Sequence, residues 1–319
     1  MTLTCPADVR VGSVTTPAAT VTFALPTATG GKPPISVTCS PQSDDSFPLG
    51  TTPVACTGTD GVRLATCSFK VTLVPPQPVV AVQKFLAFGD SITAGENGEA
   101  APMFIDQPHS YAWLLSALLA ARYTTQSPLV TDCGIPGEHA RDGRDRIDAV
   151  LDQKKPDVLM LLEGVNDLSG DLSADRDAII GALAYDIGAA KRRGLAGVFL
   201  STLLPQSPPG PGLRAHDVGE LVPVNDSIRA LAIRQGAILV DNYAVMAGHP
   251  EYIDTDGLHP NAAGNQVIAE QFFAAIRARF ETLQPTSVAG GAPLAVPVDS
   301  LGCFDVPSVT ITRRAGSIR

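Results

Sequence analysis

Charged side chains are scarce in this chain of 319 residues, and basic ones are the scarcer kind: 23 Lys and Arg stand against 32 Asp and Glu. Because nucleic acids bind basic surfaces, the net charge of −9 argues against a nucleic-acid partner. The longest apolar run, residues 112–121, is well short of the ~18 residues that a membrane span needs. With a hydrophobic content of 45 %, the composition predicts a soluble, folded protein without a membrane span.

Several signatures of metal and nucleotide sites are also missing. The sequence has no CxxC pair and no His-Glu-x-x-His, and Lys32 precedes a proline instead of completing a P-loop. No serine lies in Gly-x-Ser-x-Gly, which excludes the nucleophile elbow of the α/β-hydrolases. We therefore expect no metal and no organic cofactor. Four histidines without metal-ligand spacing are interpreted as surface or loop residues: His109, His139, His216 and His249.

Six cysteines are present, and four of them crowd into the first 67 residues. An even, locally dense set predicts disulfides and an oxidising compartment, hence a secreted or cell-surface protein whose export signal has been removed. Among 15 possible pairings, we expect Cys5–Cys67 and Cys39–Cys56. A Cys133–Cys303 bridge is the hypothesis for the remaining two, with a pair of buried free thiols as the alternative.

Residues 1–74 carry many Thr, Val and Pro and predict a small antiparallel all-β sandwich, with strands near 19–25, 35–39, 52–57 and 67–74. The segment resembles a hyalin repeat (HYR) module, an immunoglobulin-like domain. This resemblance implies an extracellular module with a possible polysaccharide or cell-surface ligand. Residues 75–80 follow as a stiff, Pro-rich linker. The resemblance rests on Cys5-Pro6-Ala7-Asp8, Val37-Thr38-Cys39-Ser40-Pro41, Phe47-Pro48-Leu49-Gly50-Thr51-Thr52, Val54-Ala55-Cys56 and Cys67-Ser68-Phe69-Lys70-Val71.

Residues 81–283 alternate buried apolar runs with amphipathic stretches, which predicts a parallel sheet covered by helices on both faces. In such sheets, ligands bind beyond the carboxyl ends of the strands. Residues 284–319 lack helical periodicity and are interpreted as a C-terminal extension. Strands are predicted at 85–88, 129–131, 158–162, 198–202 and 238–240, and helices at 109–122, 140–153, 174–193, 220–235 and 261–281.

Four short motifs follow predicted strands or precede the last helix, in a fixed order. Together they resemble the SGNH (GDSL) hydrolase superfamily, which implies a flavodoxin-like three-layer α/β/α domain and ester hydrolysis. One motif alone would be weak, because each occurs by chance in many loops. The four are Gly89-Asp90-Ser91, Asp132-Cys133-Gly134-Ile135-Pro136-Gly137, Gly164-Val165-Asn166-Asp167 and Asp256-Gly257-Leu258-His259.

These residues also make chemical sense without the family. A serine hydroxyl such as that of Ser91 needs a positioned base, which His259 can supply, and Asp256 can orient the imidazole from three residues away. The developing oxyanion needs donors, for which we assign the N–H of Ser91, the N–H of Gly134 and the side-chain amide of Asn166. The resemblance implies the same roles for Ser91, His259, Asp256, Gly134 and Asn166.

One position departs from the family pattern. The second motif usually begins with Asn, and here Asp132 stands in its place. The backbone donor of Gly134 should survive this change, whereas the hydrogen bonding that orients the loop is put in doubt. Asp167 is interpreted as a structural residue that ties loops together.

Each residue also has an ordinary structural explanation. Ser91 could cap a helix, Asn166 could belong to a turn, Gly134 could permit tight backbone geometry, and His259 could lie in a plain loop. The four motifs in order favour the catalytic interpretation.

The sequence therefore predicts a serine esterase that acts on a small-molecule, carbohydrate or lipid ester through an acyl-enzyme. Segments 96–108 and 205–212 are expected to form the pocket walls, and neither is a long apolar lid, which favours small soluble esters. Two alternatives remain open: an extracellular binding protein with a vestigial hydrolase domain, and an acyltransferase using the same triad.

Overall fold

The computed structural model describes residues 1–98, 104–208, 210, 213–216, 218–284 and 301–307. Within them the chain divides into two compact units. The first unit contains residues 1–79 with 282–284, and the second contains residues 80–281 with 301–307.

The first unit is built from short strands, as its Thr- and Val-rich sequence predicts. A four-stranded sheet has the order β2-β8-β7-β5, and two further pairs are β1–β4 and β3–β6. The pairing is antiparallel except between β2 and β8, which run parallel and so depart from the all-antiparallel expectation. The strands are β1 (Thr2–Thr4), β2 (Val9–Val11), β3 (Ala18–Thr20), β4 (Thr27–Thr29), β5 (Ser36–Ser40), β6 (Ser46–Pro48), β7 (Gly50–Thr59), β8 (Leu64–Leu73) and β9 (Gln77–Val80).

The core of this unit is aromatic and closed by two disulfides. Phe23 packs edge-on against Phe69, with ring centroids 4.9 Å apart. The predicted pairs Cys5–Cys67 and Cys39–Cys56 are both present, which confirms the expected pairing. Cys39 and Cys56 are directly opposed on β5 and β7, so this bridge lies across neighbouring strands.

The structure differs from the prediction in one strand and in the linker of this region. The strand expected at 19–25 ends at Thr20, because the chain beyond it pairs only through single hydrogen bonds such as Val21 N–H to Asp45 O. The Pro-rich segment 75–80 is not only a linker, since residues 77–80 form β9.

The second unit alternates strands and helices in the predicted order. Its elements are β10 (Lys84–Gly89), α1 (Ser91–Ala94), α2 (Tyr111–Arg122), β11 (Leu129–Gly134), α3 (Ala140–Lys154), β12 (Val158–Leu162), α4 (Leu172–Arg192), β13 (Gly197–Ser201), α5 (Val218–Gln235), β14 (Ile238–Val240), α6 (Asn242–Met246), α7 (Ala262–Phe280) and β16 (Phe304–Asp305). Short 3₁₀ turns lie at Gln107–His109, Val165–Asp167 and Pro250–Tyr252. Strand β15 (Glu281–Gln284), whose residues from 282 onward belong to the first unit, pairs with β9 of that unit.

The central sheet has the order β14-β13-β12-β10-β11-β16. The five strands from β14 to β11 run parallel, in the flavodoxin-like arrangement that was predicted. All five residues of β12 are buried, as expected for a strand covered on both faces. The order reverses at β10, so the crevice beyond the ends of β10 and its neighbours is where such folds bind ligands.

One edge strand was not anticipated. Residues 304–305 form β16, which pairs antiparallel with β11, so the sheet is mixed and not purely parallel. Residues 301–307 thus belong to the second unit instead of a separate extension, while 285–300 and 308–319 lie outside the described residues. Cys303 beside β16 is bonded to Cys133 at the end of β11, which confirms the hypothesised third disulfide.

Candidate active site

Ser91 is the first residue of α1 and is separated from the end of β10 by one residue, Asp90. Asp90 caps this helix: its Oδ1 accepts the N–H of Ile92 at 3.0 Å. The turn requires Gly89, because a Cβ there would come within 1.9 Å of the carbonyl oxygen of Leu162 on β12. Close strand contact therefore places the serine at the carboxyl edge of the sheet.

His259 and Asp256 lie in the loop before α7, and both face Ser91. His259 Nε2 is 2.8 Å from Ser91 Oγ, and His259 Nδ1 is 2.6 Å from Asp256 Oδ2. All three residues are buried. The structure thus brings together, in a continuous hydrogen-bonded chain, the three residues that the sequence predicts to be nucleophile, base and orienting acid.

The loop before α7 keeps the Asp256 carboxyl group ionised. Burial acts to raise its pKa, but the His259 side chain and the N–H groups of Leu258 and His259 outweigh it and hold the pKa of Asp256 well below its usual range. Both N–H groups donate to Asp256 Oδ1 at 3.0 Å. A carboxylate fixed in this way orients the imidazole and stabilises its protonated form.

The three predicted oxyanion donors have different surroundings. The N–H of Ser91 lies in the first turn of α1, where helix amides have no acceptor within the helix. Asn166, in the turn after β12, donates one amide hydrogen to the carbonyl oxygen of Glu138 at 2.8 Å. Since a side-chain amide carries two hydrogens, the second is the one that could serve an oxyanion.

Gly134 differs from the expectation. Its N–H donates to Oδ1 of Asp132 at 2.9 Å, so the predicted donor already has an acceptor inside its own loop. Burial raises the pKa of Asp132 to about 7. With Asp in place of the usual Asn, the loop is still held by a hydrogen bond. The donor of that bond is the Gly134 N–H, which the sequence analysis assigned to the oxyanion. The glycine itself is needed, because a Cβ there would lie 2.1 Å from the backbone nitrogen of Ala94.

Asp167 has the structural role that was predicted. Its Oδ2 accepts the N–H of Ala140 at 2.8 Å and thereby ties the start of α3 to the turn that carries Asn166.

An arginine and a glutamate that the sequence analysis missed complete the site. Arg214 Nε donates to Asp256 Oδ2 at 2.8 Å, and its Nη1 contacts Oε1 of the buried Glu96. Glu96 Oε2 lies 3.9 Å from His259 Nε2. Nothing in the spacing of Glu96 and Arg214, 118 residues apart, signals this contact. Of the predicted wall segments 96–108 and 205–212, residues 99–103, 209, 211 and 212 lie outside the described residues.

A second buried polar cluster lies beneath the strand ends. Arg146 Nε donates to Glu138 Oε1 at 2.6 Å, and its Nη2 donates to the carbonyl oxygen of Cys133 at 2.8 Å. Burial raises the pKa of Glu163 well above its usual range and that of Asp186 to about 8, so both acids resist ionisation. The cluster braces the loops after β11 and β12.

Among the described residues, no group of three or more His, Cys, Asp or Glu side chains is arranged to hold a metal ion. In the same residues, no helix is both long and apolar enough to cross a membrane.

Comparison with family models decides the family. Residues 87–267 match the model of the "GDSL-like Lipase/Acylhydrolase family", which is more than half of the chain and contains all four motifs. The chain belongs to this family. It is thereby a member of a family of carboxylic ester hydrolases, as the resemblance to SGNH hydrolases implied.

Individual relatives of this GDSL-family chain are distant. A GDSL lipase of Mycobacterium tuberculosis is 27 % identical over 140 residues, which span 43 % of this chain and 57 % of that protein. The chain thus matches little more than half the length of this curated relative.

Solved structures share the fold of the second unit. LAE5, an alpha/beta hydrolase enzyme from the metagenome of Lake Arreo, is 28 % identical, with a TM-score of 0.51 over 62 % of this chain and 96 % of its own. A lipase/acylhydrolase from Enterococcus faecalis is 23 % identical, with a TM-score of 0.51 over 65 % of this chain and all of its own. The second likeness is evidence of the fold alone.

Proposed function

We propose that the protein is a serine esterase that hydrolyses carboxylic esters through a covalent acyl-enzyme. The observation that carries this proposal is the chain of contacts from Ser91 Oγ through His259 to Asp256, with distances of 2.8 and 2.6 Å. Membership of the GDSL-like family and the name of the Mycobacterium relative support the same activity.

In this proposal each member of the triad has its own role, which the contacts above support. Ser91 Oγ attacks the ester carbonyl carbon as His259 Nε2 takes its proton, and the resulting imidazolium is stabilised by Asp256. The imidazolium then gives the proton to the departing alcohol. Water, activated by the same nitrogen, attacks the acyl-enzyme, releases the carboxylic acid and restores the Ser91 hydroxyl.

Oxyanion stabilisation rests on the Ser91 N–H and the side-chain amide of Asn166, in the first turn of α1 and the turn after β12. Gly134 joins them only when its N–H is shared between Asp132 and the oxyanion. Preorganised donors of this kind supply a large part of the rate acceleration in acyl transfer.

We further propose small soluble esters as the substrate class, acetylated carbohydrates among them. The support is the polar character of the residues next to the triad, where Glu96, Arg214 and Asn97 lie in direct contact. The decisive experiment is a panel of esters with rising acyl length, including acetylated sugars, with Ser91→Ala as the control. A preference for long-chain esters presented at an interface would favour a lipase instead.

The first unit is proposed to be an HYR-like extracellular module that folds separately from the hydrolase domain and binds a polysaccharide or cell-surface ligand. Support comes from its two disulfides and its own hydrophobic core. With a third disulfide in the second unit, the cysteine chemistry favours a secreted or cell-surface location. Export from the producing cell, detected in culture medium by antibody, tests this location.

A further inference from the structure

Arg214 joins two segments that both belong to the site. It lies in the stretch between β13 and α5 and donates through Nε to Asp256 Oδ2 at 2.8 Å and through Nη1 to Glu96 Oε1. Its Nη2 donates to the carbonyl oxygen of Asn97 at 2.9 Å. One guanidinium therefore contacts the triad acid and the segment that follows the nucleophile helix.

Glu96 lies beside the reactive nitrogen of the triad. Its side chain is only 3 % exposed, and its Oε2 is 3.9 Å from His259 Nε2, the atom that faces Ser91 Oγ. The backbone of Glu96 is fixed, because its N–H donates to the carbonyl oxygen of Ser91 at 2.9 Å and the residue bridges to Ile105. The carboxylate can therefore change position only by rotation of its own side chain.

This arrangement contains a rival acceptor for the catalytic proton. A movement of roughly 1 Å would bring Glu96 Oε2 into hydrogen-bond distance of His259 Nε2. A carboxylate accepts a hydrogen bond from an imidazolium more strongly than a neutral hydroxyl does. An imidazolium held by Glu96 would no longer return its proton to the leaving alcohol, nor would the imidazole face Ser91.

We propose that Arg214 is a positioning residue that holds the Glu96 carboxylate away from His259 Nε2 and so keeps the imidazole directed at Ser91. Arg214 suits this role because its planar fork contacts both acids at once, which a lysine cannot do with the same geometry. The proposal rests on the proposed function of Ser91 and His259 as nucleophile and base.

The test is whether a second substitution, Glu96→Gln, restores the activity that Arg214→Met loses in the full-length protein. Arg214→Met releases Glu96, and we expect kcat for a soluble aryl acetate to fall on the order of 100-fold. Adding Glu96→Gln removes the rival carboxylate, so the double variant should be at least about tenfold faster than Arg214→Met, a size typical of coupling between contacting residues. A double variant no faster than Arg214→Met, or an Arg214→Met enzyme with wild-type kcat, would overturn the proposal.

A matched arginine controls for the loss of an ion pair as such. Arg229 is 28 % exposed, close to the 31 % of Arg214, and it also contacts two carboxylates, Asp241 and Asp226, outside the site. Arg229→Met should lower the melting temperature without a comparable fall in kcat. An equal fall in both arginine variants would show a general structural effect and contradict the proposal.

Folding of the variants is checked by thermal melting and by far-UV circular dichroism. If Arg214→Met does not fold, Arg214→Lys replaces it, and Glu96→Gln must then accelerate the Arg214→Lys enzyme. A wild-type protein that neither hydrolyses esters nor reacts with a fluorophosphonate refutes the proposed function itself. A reactive wild type without suppression refutes only the role of Arg214.

Discussion

His259 Nε2 lies 2.8 Å from Ser91 Oγ, although the two residues are 168 positions apart in the chain. The contact follows from the parallel sheet, since the end of β10 and the loop before α7 meet at the same edge. Burial of both side chains removes competing water from the hydroxyl–imidazole pair.

Asn166→Ala is expected to lower kcat by about 10²–10³ with a much smaller change in KM, since an oxyanion donor acts mainly in the transition state. Steady-state kinetics on a soluble ester measure this. Asn242 supplies the control, because it too is an asparagine whose side-chain amide makes a hydrogen bond, here to Ser201 Oγ at 2.8 Å, and it has no predicted role in catalysis. Near-normal kcat in Asn166→Ala would remove the residue from the mechanism.

The free energy of unfolding should fall as the pH rises through neutrality. Burial raises the pKa of Asp186 from 3.8 to about 8, so the folded protein binds this proton more tightly than the unfolded chain does. The stabilising contribution of protonated Asp186 to the free energy of unfolding is therefore complete below about pH 4 and is lost as the pH rises to about 8. In denaturant titrations between pH 5 and 9, the free energy of unfolding of Asp186→Asn should decline less with rising pH than that of the wild type.

Asp177, on the same helix and 75 % exposed, supplies the control for that titration. Asp177→Asn should retain the wild-type pH dependence. An Asp186→Asn profile that superimposes on the wild type would contradict the assignment of a buried, protonated carboxyl group.

Loss of the Cys133–Cys303 disulfide should destabilise the second unit and slow catalysis. The bridge spans 170 residues; for such a loop chain entropy allows up to about 5 kcal/mol. It also anchors β16 to β11, next to Gly134. Replacing both cysteines by serine should lower the melting temperature and kcat, whereas the same change at Cys39 and Cys56 should leave kcat unaltered.

Direct evidence for that bridge comes from peptide mapping without reductant. One disulfide-linked peptide should contain Cys133 and Cys303. Their recovery as two separately alkylated peptides would contradict it.

A fragment of residues 77–319 should fold and hydrolyse soluble esters without residues 1–76. It keeps β9, the partner of β15, together with the sheet and the triad. Circular dichroism and ester hydrolysis measure the two properties. An aggregated or inactive fragment would mean that residues 1–76 contribute to the core or the site.

Local sequence patterns were sufficient for the main elements of the sheet and helices. The helix predicted at 140–153 is observed at Ala140–Lys154, and the strand predicted at 158–162 is observed unchanged. The helix has apolar residues at helical spacing and the strand is a continuous apolar run, and both have clear boundaries. The motifs likewise identified Ser91, Asp256 and His259, which the structure brings together.

Contacts that depend only on the tertiary structure could not be predicted from the sequence. Strand β16 has only two residues and depends on its partner β11 and on the disulfide beside it. The meeting of Glu96 and Arg214 has no motif, because neither spacing nor periodicity relates the two segments. The hydrogen bond from Gly134 to Asp132 required the backbone geometry of the loop.

Reaction with a fluorophosphonate probe, followed by mass mapping of the labelled peptide, tests the central claim most directly. The account predicts one covalent adduct per molecule, on Ser91, that forms at least about 10²-fold more slowly in His259→Ala and is absent in Ser91→Ala. An unlabelled wild-type protein that is correctly folded, or an adduct on another serine, would contradict it.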